Sequence, residues 1–470
     1  MCCKKIHLLL YFAFNLSLLL NAQNNFLKGG ITDSVICKPH SENNYAVFLP
    51  SVYSEENAYP VIFIHDPGAR GKLATEVFAH AAEKYKYILA CSNVIQNGTD
   101  GNKLMAASQI MQQDVQQKFS IDTSRIYLCG FSGGSRLSTA IALQQKNFKG
   151  VIAVGAGLPY ATLDRKKLND NIIYACAFGT TDMNYLEMLD LTEMLRRQSV
   201  TVRTFEFNGG HEWCDSSTAM HIFEWLQFQE MKKGTLKKDQ SFIDSILNVY
   251  NKHLEDKLLE KDFFHSLILY NDLLSDALNI SSTSFIGKDI QNNLQSNEAL
   301  KQIQTVQNII DNEEQERNNY LLYIYNRLPG IIIYDSTLLK NDVWWKQTSK
   351  KLKKAIEEKK NTYEAESAAR LYDILLRTCW EQGDVYFSQN NFTAAKEMYQ
   401  LNTLVDSENK YAWLGLAKAE ALLQHEKAAL VALDKAVECG LKNKTYLQNE
   451  TAFNSLRDSK KFKQLLAEIE

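Results

Sequence analysis

Short β-rich runs alternate with helix-like segments over residues 45–207, and this alternation constrains the fold more than any other feature. Runs such as VIFIH (61–65) and VIAVG (151–155) are apolar throughout, as expected for strands that helices cover on both faces. The segments between the runs, such as 104–119 and 135–145, carry apolar residues at three- and four-residue spacing, which is typical of amphipathic helices. The alternation predicts an α/β fold with a doubly wound, mostly parallel sheet.

The second half of the chain has a different composition from the first. Every proline except Pro329 lies within the first 160 residues. After the polar segment KKGTLKKDQ (232–240), the sequence consists of long stretches rich in Leu, Lys, Glu, Gln and Asn, with few residues that break helices. A chain of 470 residues has room for two to four domains at roughly 100 to 200 residues each. We therefore predict an α/β domain over 23–235, an all-α helical region over 236–375, and a further helical unit over 376–470.

Near the C-terminus the sequence repeats itself with a period of 34 residues. The period and its small residues resemble the tetratricopeptide repeat, a pair of closely packed antiparallel helices, and an ordinary helical hairpin is the alternative. Because roughly three stacked units are needed to bury a continuous core, helices before residue 372 and a cap within 453–469 must complete such an array. The aligned pairs are Gly383 with Ala417, Ala395 with Ala429, Tyr399 with Leu433, and Cys379 with Trp413.

The first 22 residues have the pattern of a secretory signal peptide. Lys4 and Lys5 form a positively charged start, a mostly apolar stretch over 6–20 follows, and Ala22 is a small residue at the predicted cleavage site. The apolar stretch is short and interrupted for a membrane span, and an uncleaved anchor is the alternative. We predict that residues 1–22 are removed, that the protein is exported to the periplasm or the extracellular space, and that no stable membrane insertion remains.

Charge and cysteine usage exclude several classes of protein. The net charge of -3 and the pI of about 6.3 give no basic surface for a nucleic-acid partner. The cysteines after the signal peptide are odd in number and scattered, which is no disulfide framework, and Cys91, Cys129 and Cys176 lie in apolar runs as small buried side chains. Because neither a CxxC pair nor an HExxH motif occurs, we predict no metal site and no cofactor.

Residues 130–134 read Gly-Phe-Ser-Gly-Gly, which matches the pattern G-x-S-x-G. The pentapeptide alone is weak evidence, because chance supplies it in many chains. Here a buried-strand run, RIYLC, precedes it and a helix-like run, SRLSTAIALQQ, follows it. A sharp strand-to-helix turn needs glycines beside the serine because its strained backbone leaves little room for side chains. The context predicts that Ser132 is an exposed nucleophile at the carboxyl edge of the sheet.

A serine hydroxyl is a poor nucleophile unless a base takes its proton, and the chain order Ser, acid, His restricts the choice of base. Of the histidines after Ser132, His211 lies in the loop NGGHEW directly after the last predicted strand, whereas His221 lies in the following helix and the others lie beyond residue 235. Asp182 follows the run IIYACAF and is the predicted acid that orients the histidine. A solvated turn aspartate is the alternative for Asp182.

Together with HDPGARG after the run at 61–65, these motifs resemble the α/β-hydrolase superfamily over about residues 40–232, in particular small secreted esterases of the feruloyl esterase and polyhydroxyalkanoate depolymerase type. The resemblance implies that the Gly133 amide gives one oxyanion-hole donor and the loop after the third strand gives the other. The loop position that usually donates is Pro67, which has no N–H. Either a shift of register lets Ala69 or Arg70 donate, or the oxyanion hole is impaired.

These features predict an exported serine hydrolase that acts on small-molecule or polymer-borne carboxylic esters. About 16 residues separate Gly155 from Ile172, which is too few for a large lid at that position. A serine peptidase of the same fold is one alternative. The other is a hydrolase-fold scaffold with little or no activity, whose helical repeats bind a protein or peptide partner; the complete triad argues against it and Pro67 argues for it.

Overall fold

The computed structural model describes residues 26–157, 168, 171–278, 280 and 288–469. The predicted signal peptide and most of the segment between Gly155 and Ile172 lie outside the described residues. Among the helices described, none is both long and apolar enough to cross a membrane.

A mostly parallel sheet of eight strands forms the centre of the N-terminal domain, which confirms the predicted fold class. The strand order is β1-β2-β4-β3-β5-β6-β7-β8, and β2 alone runs in the direction opposite to the other strands. The strands are β1 (Gly30–Ile36), β2 (Asn44–Leu49), β3 (Tyr59–His65), β4 (Ile88–Ser92), β5 (Ile121–Phe131), β6 (Gly150–Val154), β7 (Ile173–Gly179) and β8 (Thr201–Phe207).

Helices cover both faces of this sheet, so the apolar strand runs are buried as the sequence predicts. Side chains of α2, α3 and α4 pack on one face and those of α1 and α5 on the other. Asp100 and Asp215 cap α2 and α5 by accepting hydrogen bonds from first-turn amides. The helices are α1 (Gly71–Tyr85), α2 (Gly101–Lys118), α3 (Gly133–Gln144), α4 (Tyr185–Arg197) and α5 (Ser216–Lys232).

The core of the sheet domain continues beyond the predicted boundary at residue 235. Helices α6 (Gln240–Leu259), α7 (Phe263–Ala277) and α8 (Lys288–Leu294) pack on the same face as α1 and α5. A buried ion pair joins Arg203 of β8 to Asp276 of α7. The composition change at 232–240 therefore marks the end of strand and helix alternation and not the end of this core.

The rest of the chain is all-helical, as predicted, and its successive helices pack against each other. The predicted boundary at residue 375 falls inside one continuous helix, α11, because no glycine or proline interrupts its first five turns.

In the C-terminal helices, the ring of Tyr399 lies against both Gly383 and Gly415, where a side chain at either glycine would meet it. The tetratricopeptide character of these helices stays a prediction. They are α9 (Asn297–Tyr325), α10 (Asp342–Glu358), α11 (Tyr363–Ser388), α12 (Phe392–Val405), α13 (Lys410–Leu422), α14 (Glu426–Glu438), α15 (Lys444–Asn449) and α16 (Lys460–Glu468).

Candidate active site

Ser132 lies in a sharp turn between β5 and α3, with φ 50° and ψ -120°. A non-glycine residue at positive φ is strained and persists only where its surroundings enforce it. Here the close approach of three backbone segments enforces it. A methyl group added at Gly130 would lie 2.2 Å from the Gly134 carbonyl oxygen, and one added at Gly134 would lie 1.9 Å from the His65 carbonyl oxygen. The two glycines of the motif are therefore required by packing.

The structure brings Ser132, His211 and Asp182 together at the carboxyl edge of the sheet. His211 Nε2 lies 2.9 Å from Ser132 Oγ, and His211 Nδ1 lies 2.9 Å from Asp182 Oδ1. Both distances are within hydrogen-bond range. The serine follows β5, the aspartate follows β7 and the histidine follows β8, so parallel strands place all three side chains at one edge. This arrangement can transfer a proton from a serine hydroxyl to an imidazole that a carboxylate orients.

Two residues that sequence reasoning missed hold the aspartate in place. Gly155, with φ +65°, passes so close that an added methyl group would lie 3.0 Å from Asp182 Oδ2 and 3.3 Å from His211 Cε1. Asn184 donates its backbone N–H to Asp182 Oδ1 at 2.7 Å and its side-chain amide to the Gly155 carbonyl at 2.8 Å. A glycine at the end of the run VIAVG was the only signal in the sequence for this contact.

Asp182 is fully buried, and His211 is 5% exposed. Among the described residues, Asp182 Oδ2 has no hydrogen-bond partner. A buried carboxylate with few partners is stabilised strongly by any positive charge that forms beside it. The ring of Phe131 covers the imidazole, with 4.7 Å between ring centroids. The carboxylate and the ring of Phe131 therefore hold the imidazole in place and shield it from water.

His65, which precedes the oxyanion-loop residues, is buried and structural. Its Nδ1 lies 2.7 Å from Ser138 Oγ and its Nε2 lies 2.8 Å from Ser108 Oγ. Burial lowers the pKa of His65 to about 3, so the ring stays neutral. The two hydrogen bonds of His65 fix the start of the loop that faces Ser132.

Asp66 organises that loop. Its carboxylate accepts hydrogen bonds from the Gly68 amide at 2.7 Å, from Trp213 Nε1 at 2.8 Å and from the Arg70 guanidinium at 3.2 Å. Burial acts to raise the pKa of Asp66, but these hydrogen bonds outweigh it and hold the pKa below its ordinary value. The loop is thus held by an ionised carboxylate rather than by backbone pairing alone.

The structure does not support Ala69 or Arg70 as oxyanion-hole donors. The Ala69 N–H, at φ 55°, donates to the Ile95 carbonyl at 3.0 Å, and the Arg70 N–H faces Asp66 Oδ1 at 3.4 Å. Each N–H carries one proton, so neither amide is free to turn to the nucleophile. Gly133, by contrast, has an N–H with no hydrogen-bond partner among the described residues.

The C-terminal helical region forms part of the surroundings of this site. Arg370 of α11 donates from Nη1 to the Thr180 carbonyl at 2.6 Å, two residues before Asp182. The same guanidinium makes a bidentate ion pair with Glu313 of α9, with both distances 2.7 Å, and lies 4.3 Å from the ring centroid of Tyr185. Arg370 and Glu313 are almost fully buried. Sequence reasoning missed this contact because 190 residues separate its partners.

The face of α11 that carries Arg370 also carries other charged residues along the site. Positions 370, 377 and 381 recur on one helix face, and Asp373 lies beside them. Arg377 Nε donates to both oxygens of Asp373, at 2.9 and 2.8 Å. The charges of Asp373 and Glu381 interact with His211. The helical region therefore supplies a charged wall, Asp373-Arg377-Glu381, beside the imidazole.

Comparisons with known proteins give likenesses to solved structures only. The sequence matches no protein-family model and no curated protein. The S-formylglutathione hydrolase FrmB of Staphylococcus aureus is 16% identical, with a TM-score of 0.35, over 43% of this chain and 98% of that one. An esterase of Pyrobaculum calidifontis is 11% identical, with a TM-score of 0.35, over 46% and 90%. Esterase B of Lactobacillus rhamnosis is 14% identical, with a TM-score of 0.35, over 49% and 98%.

Proposed function

We propose that this protein is a serine hydrolase that cleaves carboxylic esters, with Ser132 as nucleophile, His211 as base and then acid, and Asp182 as the orienting carboxylate. The proposal rests above all on one observation. The two ring nitrogens of His211 each make a 2.9 Å contact, one to Ser132 Oγ and the other to Asp182 Oδ1. The strained turn at Ser132 and the burial of Asp182 support it, because structural serine and histidine pairs do not need either feature.

In the acylation step, Ser132 Oγ forms a bond to the carbonyl carbon of the ester while its proton passes to His211 Nε2. The carbonyl electron pair moves onto oxygen, and the Gly133 N–H donates to the resulting oxyanion. Asp182 stabilises the imidazolium through Nδ1–H. When the oxyanion collapses, the bond to the alcohol oxygen breaks, and His211 gives its proton to the departing alkoxide.

In the deacylation step, water takes the place of the alcohol. His211 accepts a proton from that water, whose oxygen forms a bond to the acyl carbon. Collapse of the second oxyanion breaks the bond to Ser132 Oγ, which recovers the proton, and the carboxylic acid leaves. The two steps together consume one ester and one water and return the enzyme unchanged.

The decisive experiment combines active-site labelling with turnover of short-chain nitrophenyl esters. A fluorophosphonate should label Ser132 of the wild type, and mass spectrometry should locate the adduct. Ser132→Ala should abolish both labelling and turnover. His211→Ala should reduce turnover by a factor on the order of 10⁴ or more, because the triad residues act as a unit.

Two matched substitutions serve as controls. Ser124→Ala removes an exposed serine that belongs to β5 but lies far from its carboxyl end, and His221→Ala removes an exposed histidine of α5. Both should leave labelling and turnover unchanged. Wild-type protein that neither labels nor turns over esters, or Ser132→Ala protein that does both, contradicts the proposal. Turnover of peptides but not of esters would favour the peptidase alternative.

We further propose that the protein is exported, because residues 1–22 have the pattern of a cleavable signal peptide. Expression of the full chain in a bacterial host followed by cell fractionation tests this. The mature N-terminus should be Gln23, and Leu9→Arg, which interrupts the apolar stretch, should hold the protein in the cytoplasm. An N-terminus at Met1 in the exported fraction would favour the uncleaved anchor.

A further inference from the structure

The proposed reaction needs a second hydrogen-bond donor to the oxyanion, and none of the residues assigned so far supplies it. Acyl transfer by a serine nucleophile usually relies on two donors to the oxyanion, and Gly133 accounts for one. In the loop after β3, Pro67 has no N–H, Gly68 donates to Asp66 Oδ1, and Ala69 donates to the Ile95 carbonyl. Positions 67 to 70 of that loop therefore offer no unpaired backbone N–H for the second donor.

Asn97 brings a side-chain amide to this place. Its backbone N–H donates to the Pro67 carbonyl at 2.8 Å, and its neighbour Gln96 forms a bridge with Gly68. These bonds tie Asn97 to the loop residue that lacks a donor. A methyl group added at Gly133 would lie 2.1 Å from Asn97 Oδ1 and 3.1 Å from Asn97 Cγ. The carboxamide thus lies directly beside the residue that follows the nucleophile.

The Asn97 side chain is also free to act as a donor. Among the described residues its carboxamide makes no hydrogen bond, whereas Asn93, four residues earlier, uses both ends of its carboxamide to hold the loop. Rotation about the Cβ–Cγ bond presents Nδ2–H to the side of Gly133. Asn97 is exposed and its carboxamide is open to solvent, whereas the half-buried Asn93 bonds the backbone of Gly71.

We infer that Asn97 is a further catalytic residue, whose carboxamide donates the second hydrogen bond to the oxyanion in place of the amide that Pro67 lacks. The inference rests on the proposed function, and it names the hydrogen-bond donor on which the rate of ester cleavage depends. It also explains Gly133, because any larger side chain at this position would displace the Asn97 carboxamide. Pro67 is then compatible with an intact oxyanion hole and is no sign of a degenerate enzyme.

Two substitutions at Asn97 test the inference with short-chain nitrophenyl esters. Asn97→Ala removes the donor and should lower kcat about 100- to 1000-fold with little change in KM, because the bond forms mainly in the transition state. Asn97→Asp keeps the shape but replaces the donor with a negative charge, and should lower kcat at least as much. Gln96→Ala, at the exposed neighbour, should change kcat less than threefold. Thermal unfolding midpoints should be equal in all four proteins.

A transition-state analogue separates this role from a structural one. A trifluoromethyl ketone adds to Ser132 and places an oxyanion in the hole, so its inhibition constant should rise in Asn97→Ala by the same factor by which kcat/KM falls. A merely structural asparagine would not give this proportionality. If Asn97→Ala keeps kcat within threefold of wild type while Ser132→Ala is inactive, the inference is wrong and the proposed function stands. If the wild type shows no Ser132-dependent turnover, both are wrong.

Discussion

The two sides of the candidate active site are built in opposite ways. On the sheet side, Ser132 is fixed by glycines within two residues of it, so the geometry is encoded locally. On the helical side, Asp373, Arg377 and Glu381 lie on α11, which buried Arg370 attaches to Thr180 and to Glu313. The comparison teaches that the first side depends on packing between neighbouring residues and the second on long-range contacts of a buried cation. Each of the following predictions tests one side of this comparison.

The largest effect is expected on the sheet side, at the carboxylate. Asp182→Asn keeps the shape but reverses the hydrogen bond to His211 Nδ1, and should lower kcat by about 10⁴-fold. Steady-state turnover of nitrophenyl esters measures the loss. Asp190→Asn, at an exposed position in the middle of α4, is the control and should keep wild-type kcat. Full activity of Asp182→Asn would show that Asp182 is a turn residue without a part in catalysis.

The next effect is expected on the helical side. Arg370→Ala leaves Glu313 buried without a partner and should lower the free energy of unfolding by about 3 to 5 kcal/mol. Denaturant unfolding measures the change. The double variant Arg370→Leu with Glu313→Leu should recover much of that stability, because no charge stays buried. It should still reduce turnover, since the hydrogen bond to Thr180 remains absent.

The control for this prediction is the outer ion pair of the same helix. Arg377→Ala breaks the partly exposed pair with Asp373 and should change the free energy of unfolding by about 0 to 1 kcal/mol. An equal loss in Arg370→Ala and Arg377→Ala would contradict the claim that one buried cation holds the helical side.

A smaller and pH-dependent effect is expected at His265, where α7, β8 and α11 meet. Burial acts to lower the pKa of His265, but Glu206 and Asp262 outweigh it and raise the pKa to about 10. Because this value is above the unfolded value of 6.5, the stabilisation is complete below about pH 6.5 and is lost as the pH rises toward 10. The loss is at most about 1.4 kcal/mol per pH unit.

Urea unfolding of wild type and His265→Gln at pH 6, 8 and 9.5 measures this dependence. The difference in free energy of unfolding should be greatest at pH 6 and should shrink at each step. A neighbouring variant, His253→Gln, removes a histidine with a lowered pKa and should not show the same trend. A difference that is constant with pH would mean that folding does not change the pKa of His265.

The smallest effect is expected from the charged wall. Glu381→Gln removes a negative charge from this wall and should leave kcat/KM of neutral esters nearly unchanged. The variant Glu364→Gln removes an exposed charge near the start of the same helix and should leave kcat/KM of neutral and cationic esters unchanged. Esters with a cationic group should lose more kcat/KM in Glu381→Gln than neutral esters.

Local sequence patterns predicted the parts of the molecule that neighbouring residues determine. The sheet follows from apolar runs with helical segments between them, and the turn at Ser132 follows from its two glycines. Chain order then selected Asp182 and His211, which the fold brings within 2.9 Å of their neighbours. For the strands and for the turn, the residues that determine the local structure lie within a few positions of the sequence pattern that predicts it.

The features that the sequence could not predict depend on contacts between distant segments. Asn97 lies beside Gly133 only because its backbone pairs with Pro67, and nothing in the run VIQNG indicates a site residue. The core of the sheet domain extends beyond α5, where Arg203 of β8 pairs with Asp276 of α7, and composition does not reveal this pair. The sequence does not distinguish Arg370 from other helix residues, because its partners Thr180 and Glu313 are distant in the chain.

The attachment of Arg370 to the Thr180 carbonyl affects how this protein can evolve. A substitution in α9 or α11 that moves this guanidinium also moves the peptide unit before Asp182, although Arg370 lies 190 residues after Thr180 in the chain. The two parts of the chain are therefore not interchangeable modules. A new helical region fused after β8 would have to supply its own cation at this carbonyl, so changes in the two parts should accumulate together rather than independently.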